Sequence, residues 1–169
     1  VTGNYTQAAG GIFEVNASTA DNFGTLTVTG TADLTASGAV TVNEPGLLTP
    51  GAVVNNVLTA GTLTAGALTT TDSGNLFYSV TAVRDGNTID LVVARDLLLT
   101  DAVGARPYAS GVAGALDPLI AAGGGTGLDT ALSALAGLAS TGAVADAAAQ
   151  MIPTLTGQAT LATKQLTTA

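Results

Sequence analysis

LTVTGTADLTASGAVTV, running from Leu26 to Val42, keeps one alternation for its whole length, and the way it folds decides the architecture. Its even positions (Leu26, Val28, Gly30, Ala32, Leu34, Ala36, Gly38, Val40 and Val42) are apolar or bare. Its odd positions (Thr27, Thr29, Thr31, Asp33, Thr35, Ser37 and Thr41) are polar, with Ala39 the one exception. Strand side chains point alternately to opposite faces, so the stretch has one wet face and one buried face. A strand is normally about 3–10 residues long, so the chain is expected to bend, at Gly30 and Gly38, while holding its phase. A hairpin and a coil of a β-solenoid both satisfy that condition.

On either side the strand texture continues, over roughly the first hundred residues. Phe13 and Val15 alternate with Glu14 and Asn16, and Asp21-Asn22 reads as a turn before the long stretch. Glu44-Pro45-Gly46 and Pro50-Gly51 are turn signals that close it. Val53 to Leu58 and Leu63 to Leu68 read as two short strands parted at Ala60-Gly61. LTVTGTADLTASG and LTAGTLTAGALTT share a Leu-Thr-x-x-Gly rhythm, the weak repetition that stacked coils produce. A hairpin follows: Leu76, Tyr78, Val80 and Ala82 share a face, Arg84-Asp85-Gly86-Asn87 turns, and Ile89, Leu91 and Val93 return.

After Arg106-Pro107 the spacing becomes helical. Leu116, Leu119 and Ile120 form one amphipathic stretch that ends at Gly123-Gly124-Gly125. Asp129 is placed to cap a second helix, or to lie in its first turn, with Leu128, Leu132, Leu135 and Ala139 on one face. A third runs from about Ala143 through Met151-Ile152 and breaks at Pro153, and the Thr-rich tail from Thr154 to Ala169 is expected to fray. The organisation expected is 1–75, 76–104 and 105–169: strands, hairpin, helices.

Composition removes most chemistry. The 169 residues hold 47% hydrophobic side chains but only 4% aromatic and 9% charged ones. The core is therefore aliphatic, and the surface is wetted by Thr, Ser and Asn. The net charge is −8, and Arg84, Arg95, Arg106 and Lys164 are scattered, which argues against nucleic acid as a partner. There is no Cys, His or Trp, which excludes disulfides, thiolate and imidazole catalysis and nearly every transition-metal site. Lack of Cys also suits a chain that crosses membranes unfolded. No secretion signal opens the chain, which starts at Val1 in mid-pattern and reads as a piece of something longer. The most apolar stretch, Thr130 to Ala145, is too short to span a bilayer.

The motifs that remain have bland readings. Gly124-Gly125-Thr126-Gly127-Leu128-Asp129 fits one copy of a GGxGxD calcium repeat, but that chemistry shares each ion between tandem copies. An interhelix loop explains it better, and no Gly-Lys-Ser/Thr follows to make a phosphate loop. Ser37, Ser73 and Ser110 precede glycine, yet none lies in GxSxG and no His could activate them. Asp85, Asp90, Asp96 and Asp101 leave a paired-carboxylate reaction open, and solvated turn acids account for them better. Asn4-Tyr5-Thr6 and Asn16-Ala17-Ser18 are formal glycosylation sequons. No catalytic, cofactor-binding or metal-binding residue is assigned, and no cofactor is expected.

The order of these pieces resembles the end of a classical autotransporter (type V secretion) passenger. GNYTQAAGG, Gly3 to Gly11, looks like the family's G-x-Y-x-Q-x-x-G-G opening of a rung. FGTLTVTGTADL, Phe23 to Leu34, resembles its Y-D-x-L-x-V-x-G-x-A-x-L core, with Phe23-Gly24 in place of Tyr-Asp. PGAVVNNVLTAGTLTAG, Pro50 to Gly66, is similar to its G-x-x-F-x-V-L-x-A segment, and Leu76 to Ala94 to its closing hairpin. ADAAAQMIPTL, Ala145 to Leu155, resembles the linker before the translocator barrel.

That resemblance implies a mainly β chain: right-handed parallel β-helix rungs of a passenger stem, capped by an autochaperone-like β-hairpin and followed by short α-helices. It implies a non-enzymatic segment that nucleates and caps folding during secretion, at the bacterial cell surface or beyond, after passage through periplasm and outer membrane. The implied partners are the protein's own outer-membrane β-barrel and upstream passenger rungs, with self-association possible and no nucleic acid. The residues expected to matter form a structural core: Tyr5, Phe13, Val15, Leu26, Val28 and Leu34 in the rungs, and Tyr78, Val80, Ile89 and Leu91 in the cap. Two rivals stand beside it: a surface adhesin with Thr-rich binding faces, and a carbohydrate-active enzyme using Asp85 and Asp90.

Overall fold

The computed structural model describes residues 1–44, 46–104, 106–124 and 127–151. Nine strands come first: β1 (Tyr5–Thr6), β2 (Phe13–Thr19), β3 (Asn22–Phe23), β4 (Leu26–Leu34), β5 (Ala39–Asn43), β6 (Val53–Ala65), β7 (Thr69–Thr71), β8 (Tyr78–Asp85) and β9 (Thr88–Arg95). Helices α1 (Leu99–Ala102), α2 (Ser110–Ala121), α3 (Asp129–Ala136) and α4 (Thr141–Gln150) follow. The strands form two sheets, ordered β1-β4-β6-β9-β8 and β3-β2-β5-β7.

The opening stretch feeds both sheets. Its first half is β4, and its second half, after a bend at Thr35–Gly38, is β5 in the other sheet. Val28, Ala32, Leu34, Val40 and Val42 are buried between them, while Ala36 in the bend is exposed. Gly38 sits so close to the Ala67 carbonyl that a Cβ would strike it, which excludes every other residue there. Parallel pairing then runs through each sheet. Tyr5 pairs with Ala32 and Ala32 with Leu63, while Phe13 pairs with Val40 and Val40 with Thr70. The two repeats LTVTGTADL and LTAGTLTA lie side by side, Leu26 opposite Leu58.

The expectation of a mainly β, right-handed parallel β-helix is corrected here. The described residues form a mixed α/β fold with two small mixed sheets and four helices. The β8–β9 hairpin is antiparallel as the sequence predicts, but β9 also enters the first sheet antiparallel to β6, and β2–β3 is antiparallel as well. Alternation marks the faces of a strand and not its partners, so the pairing of β9 with β6 left no sequence signal. The helices share the core with the strands: Leu99, Ile120, Leu132 and Val144 belong to the same buried cluster as Leu34 and Leu91. A second correction concerns β6, one strand of 13 residues where two were expected. Asn56, at φ 62°, makes a bulge whose N–H donates to Asp90 Oδ1, so that Val57 and Leu58 are both buried.

Local chemistry explains the helix ends. Ser140 Oγ accepts from the Ala143 N–H and starts α4. Gly123, at φ +74°, terminates α2. Helix α1 is held from a distance: Asp117 of α2 accepts from the N–H groups of Leu99 and Thr100 and from the Thr100 hydroxyl. Helix α3 ends at Ala136, so Ala139 lies beyond it and is exposed, as is Leu128 before it. The expected break at Pro153 and the tail from Thr154 to Ala169 fall outside the described residues.

Candidate functional site

The sequence-predicted core residues fall into two groups. Phe13, Val15, Val28, Leu34, Tyr78, Val80, Ile89 and Leu91 are buried. Tyr5 and Leu26, nearer the β1 edge, are only partly buried against that cluster. Phe77, in the bend before β8, and Tyr78, the first residue of β8, are both fully buried. The Tyr78 hydroxyl accepts from the Leu48 N–H at 3.1 Å. Burial above all raises the Tyr78 phenol beyond its ordinary value, keeping it neutral.

The hairpin seals the sheet edge it joins. Pairing of β9 with β6 reaches Thr59 opposite Thr88, and side chains then carry the bonding further along β6. Asn87 donates to the Gly61 carbonyl and accepts from the Leu63 N–H, and Arg84 donates to the Leu63 carbonyl at 2.6 Å. The outer edge of β8 is stitched to β7 of the other sheet and to the residue after it: Ala82 N–H donates to Thr70 Oγ1 at 2.7 Å and Val80 N–H to Asp72 Oδ2, just beyond β7, at 3.1 Å. Backbone groups that would otherwise recruit a foreign strand are thereby occupied.

The opposite edge is less complete. Residues 1–7 run along β4 and bond to it from Thr27 to Asp33, with Thr29 N–H donating to the Val1 carbonyl, Gly30 N–H to the Gly3 carbonyl and Thr31 N–H to Asn4 Oδ1, but no described strand lies outside them. Strand β3 pairs with β2 only around Ala17 and Thr19, so Phe13 to Val15 have a strand neighbour on the β5 side alone. Buried Gln7 anchors this end, its amide donating to the Gly11 and Ala39 carbonyls at 3.0 Å each. Sequence reasoning noted Gln7 only as a motif letter. Its signal was a polar side chain at an apolar-phase position two residues after Tyr5.

The acids and hydroxyls that left catalysis open do not converge. Asp85 is exposed at the hairpin tip, Asp90 accepts from the Asn56 N–H, Asp96 accepts from Ser79, and Asp101 is exposed in α1. Ser37 donates to the Gly11 carbonyl and Ser73 to Glu44, while Ser110 begins α2. Two cavities are formed elsewhere. An apolar groove of about 310 Å³ lies between α3 and α4, lined by Ala131, Ala134, Leu135, Leu138, Ala147 and Met151. A polar cleft of about 160 Å³ is lined by Glu44, Gly46, Ser73, Asn75, Ser133 and Gly137. Neither contains any of the four aspartates. Among the described residues no three acidic side chains are grouped to hold a metal ion, and the GGxGxD stretch falls partly outside those residues. No described helix is long and apolar enough to cross a membrane.

No protein-family profile, curated protein or solved structure matches the chain.

Proposed function

We propose that this chain is a non-enzymatic structural segment of a bacterial surface-displayed or secreted protein, an autotransporter-type passenger, where it forms and caps the end of a stack of strands. The observation that carries the reading is the contrast between the two sheet edges. At the β7–β8 edge the Val80 and Ala82 N–H groups are taken up by the Asp72 and Thr70 side chains, while the outer side of residues 5–6 and 13–15 has no described strand neighbour. An end of a sheet that meets no further strand of its own chain has to refuse foreign ones. The order of the sequence motifs supports the same reading, with an outer-membrane barrel as the partner that exports the segment.

The available β1–β2 edge also favours a second reading, in which two surface copies associate through it. The test places the chain between a reporter and an outer-membrane translocator barrel on a bacterial surface. Leu91→Ala should lower the protease-resistant reporter on the surface several-fold while export continues. Normal display of that variant, with loss only of adhesion or catalysis, would refute the structural role. Loss of cell–cell aggregation with display intact would favour the second reading.

A further inference from the structure

Helix α3 is apolar on more than its buried face. Leu132, Leu135 and Ala136 enter the core, while Ala131 and Ala134 are exposed and Leu138, just past the helix, is half-buried. Positions 131, 134, 135 and 138 follow helical spacing and form one wall of the groove of about 310 Å³. Ala147 and Met151, four residues apart at the end of α4, form the other wall. A small ligand is oriented by a few converging polar groups, and no polar side chain lines this groove. Its chemistry suits an apolar stretch of polypeptide.

We propose that residues 152–155 of this same chain occupy the groove between α3 and α4, with Ile152 and Leu155 as the side chains that cover it. Met151, 40% exposed, stands on the rim of the groove, so the chain that follows starts there. That chain reads Ile152-Pro153-Thr154-Leu155, and Lys164 is the single charged residue after Met151. Pro153 disfavours prolonging α4, because proline lacks the helical N–H and restricts the residue before it. The reach is sufficient. Four extended residues span about 13 Å, whereas the wall from residue 131 to residue 138 measures about 10 Å at the helical rise. A segment tethered at the rim has an effective concentration on the order of millimolar. A second copy would have to compete with that tether while carrying the same net charge of −8. The inference concerns the helical layer and stands apart from the role proposed for the sheet edges.

Nuclear Overhauser measurements on the full chain test it. The Ala131 and Ala134 methyl groups should show contacts to the Leu155 methyls of the same molecule. Mixing labelled with unlabelled chains separates these from contacts between molecules. No contact to Leu155 would overturn the proposal, and so would contacts found only between molecules, which would assign the groove to a second copy. Leu155→Asp should uncover the groove and raise the fluorescence of an apolar dye several-fold, with amide protection of β9 unchanged. Leu155→Met, apolar and similar in volume, should leave the dye signal as in the wild type. Equal dye fluorescence in Leu155→Asp and the wild type would equally overturn the assignment.

Discussion

The β7–β8 side and the β1–β2 side belong to the same two sheets and finish them in opposite ways. On the first, a full antiparallel hairpin adds two strands, buries Phe77 and Tyr78, and uses Thr70, Asp72, Arg84 and Asn87 to occupy leftover backbone groups. On the second, residues 1–7 cover β4 but carry no further described strand, Phe13 to Val15 lack a neighbour opposite β5, and Tyr5 and Leu26 are only partly buried. Edge strands are where proteins aggregate or extend, so an asymmetry of this kind separates an end that stops growth from an end that permits it. In the proposed role, the cap is the β8–β9 hairpin together with the Thr70 and Asp72 side chains at the end of β7 rather than a separate domain.

The contrast can be broken first at the core of the cap. Leu91→Ala, at a fully buried position, should cost about 2–5 kcal/mol in chemical denaturation, whereas Leu26→Ala, at the thin edge, should cost less than half as much. Equal losses would mean that the two ends are equally consolidated. A smaller effect is expected from the stitching. Thr70→Val and Asn87→Ala should each cost about 1 kcal/mol and should also raise concentration-dependent association in size-exclusion chromatography, because they expose strand backbone. Away from both edges, Arg106→Ala removes the 2.7 Å pair with Asp146, a partly exposed contact that steadies α4. Its cost should stay below about 1 kcal/mol and diminish with salt.

The smallest effect concerns pH at the surface. The Asp33 carboxylate is lowered below its ordinary value, first by the Thr35 hydroxyl and then by the Thr35 N–H. Its contribution to stability is present above the ordinary aspartate value and is lost as pH falls through the lowered one. Asp33→Asn should remove a slight acid-side decline and nothing else in a pH–stability curve.

Much of the strand layout was legible because burial obeys a two-residue period wherever a strand is regular. Val28, Ala32, Leu34, Val40 and Val42 were readable one by one, as was the hairpin with its Gly86-Asn87 turn. The continuity of β6 was not, because its bulge at Asn56 is set by Asp90 on a strand 34 residues away. The pairing of β9 with β6 was hidden for a related reason, since alternation does not encode partners. Helix α1 left no signal: its four residues depend on Asp117, 18 positions downstream. Glu44 stood out only as a turn residue, and its partner Ser73 lies 29 positions downstream. Local pattern gave the faces; partners distant in sequence gave the edges and the cleft.

The most direct test of the sealed-edge account is amide exchange at individual residues under native conditions. The side chains of Val80 and Ala82 are buried, but their N–H groups point away from β9 at the outer edge of β8 and end on Asp72 and Thr70. They should exchange as slowly as the paired amides of β9, while outward-facing amides of residues 5–6 and 13–15 exchange rapidly. Rapid exchange at Val80 and Ala82, or equal protection of both edges, would contradict it.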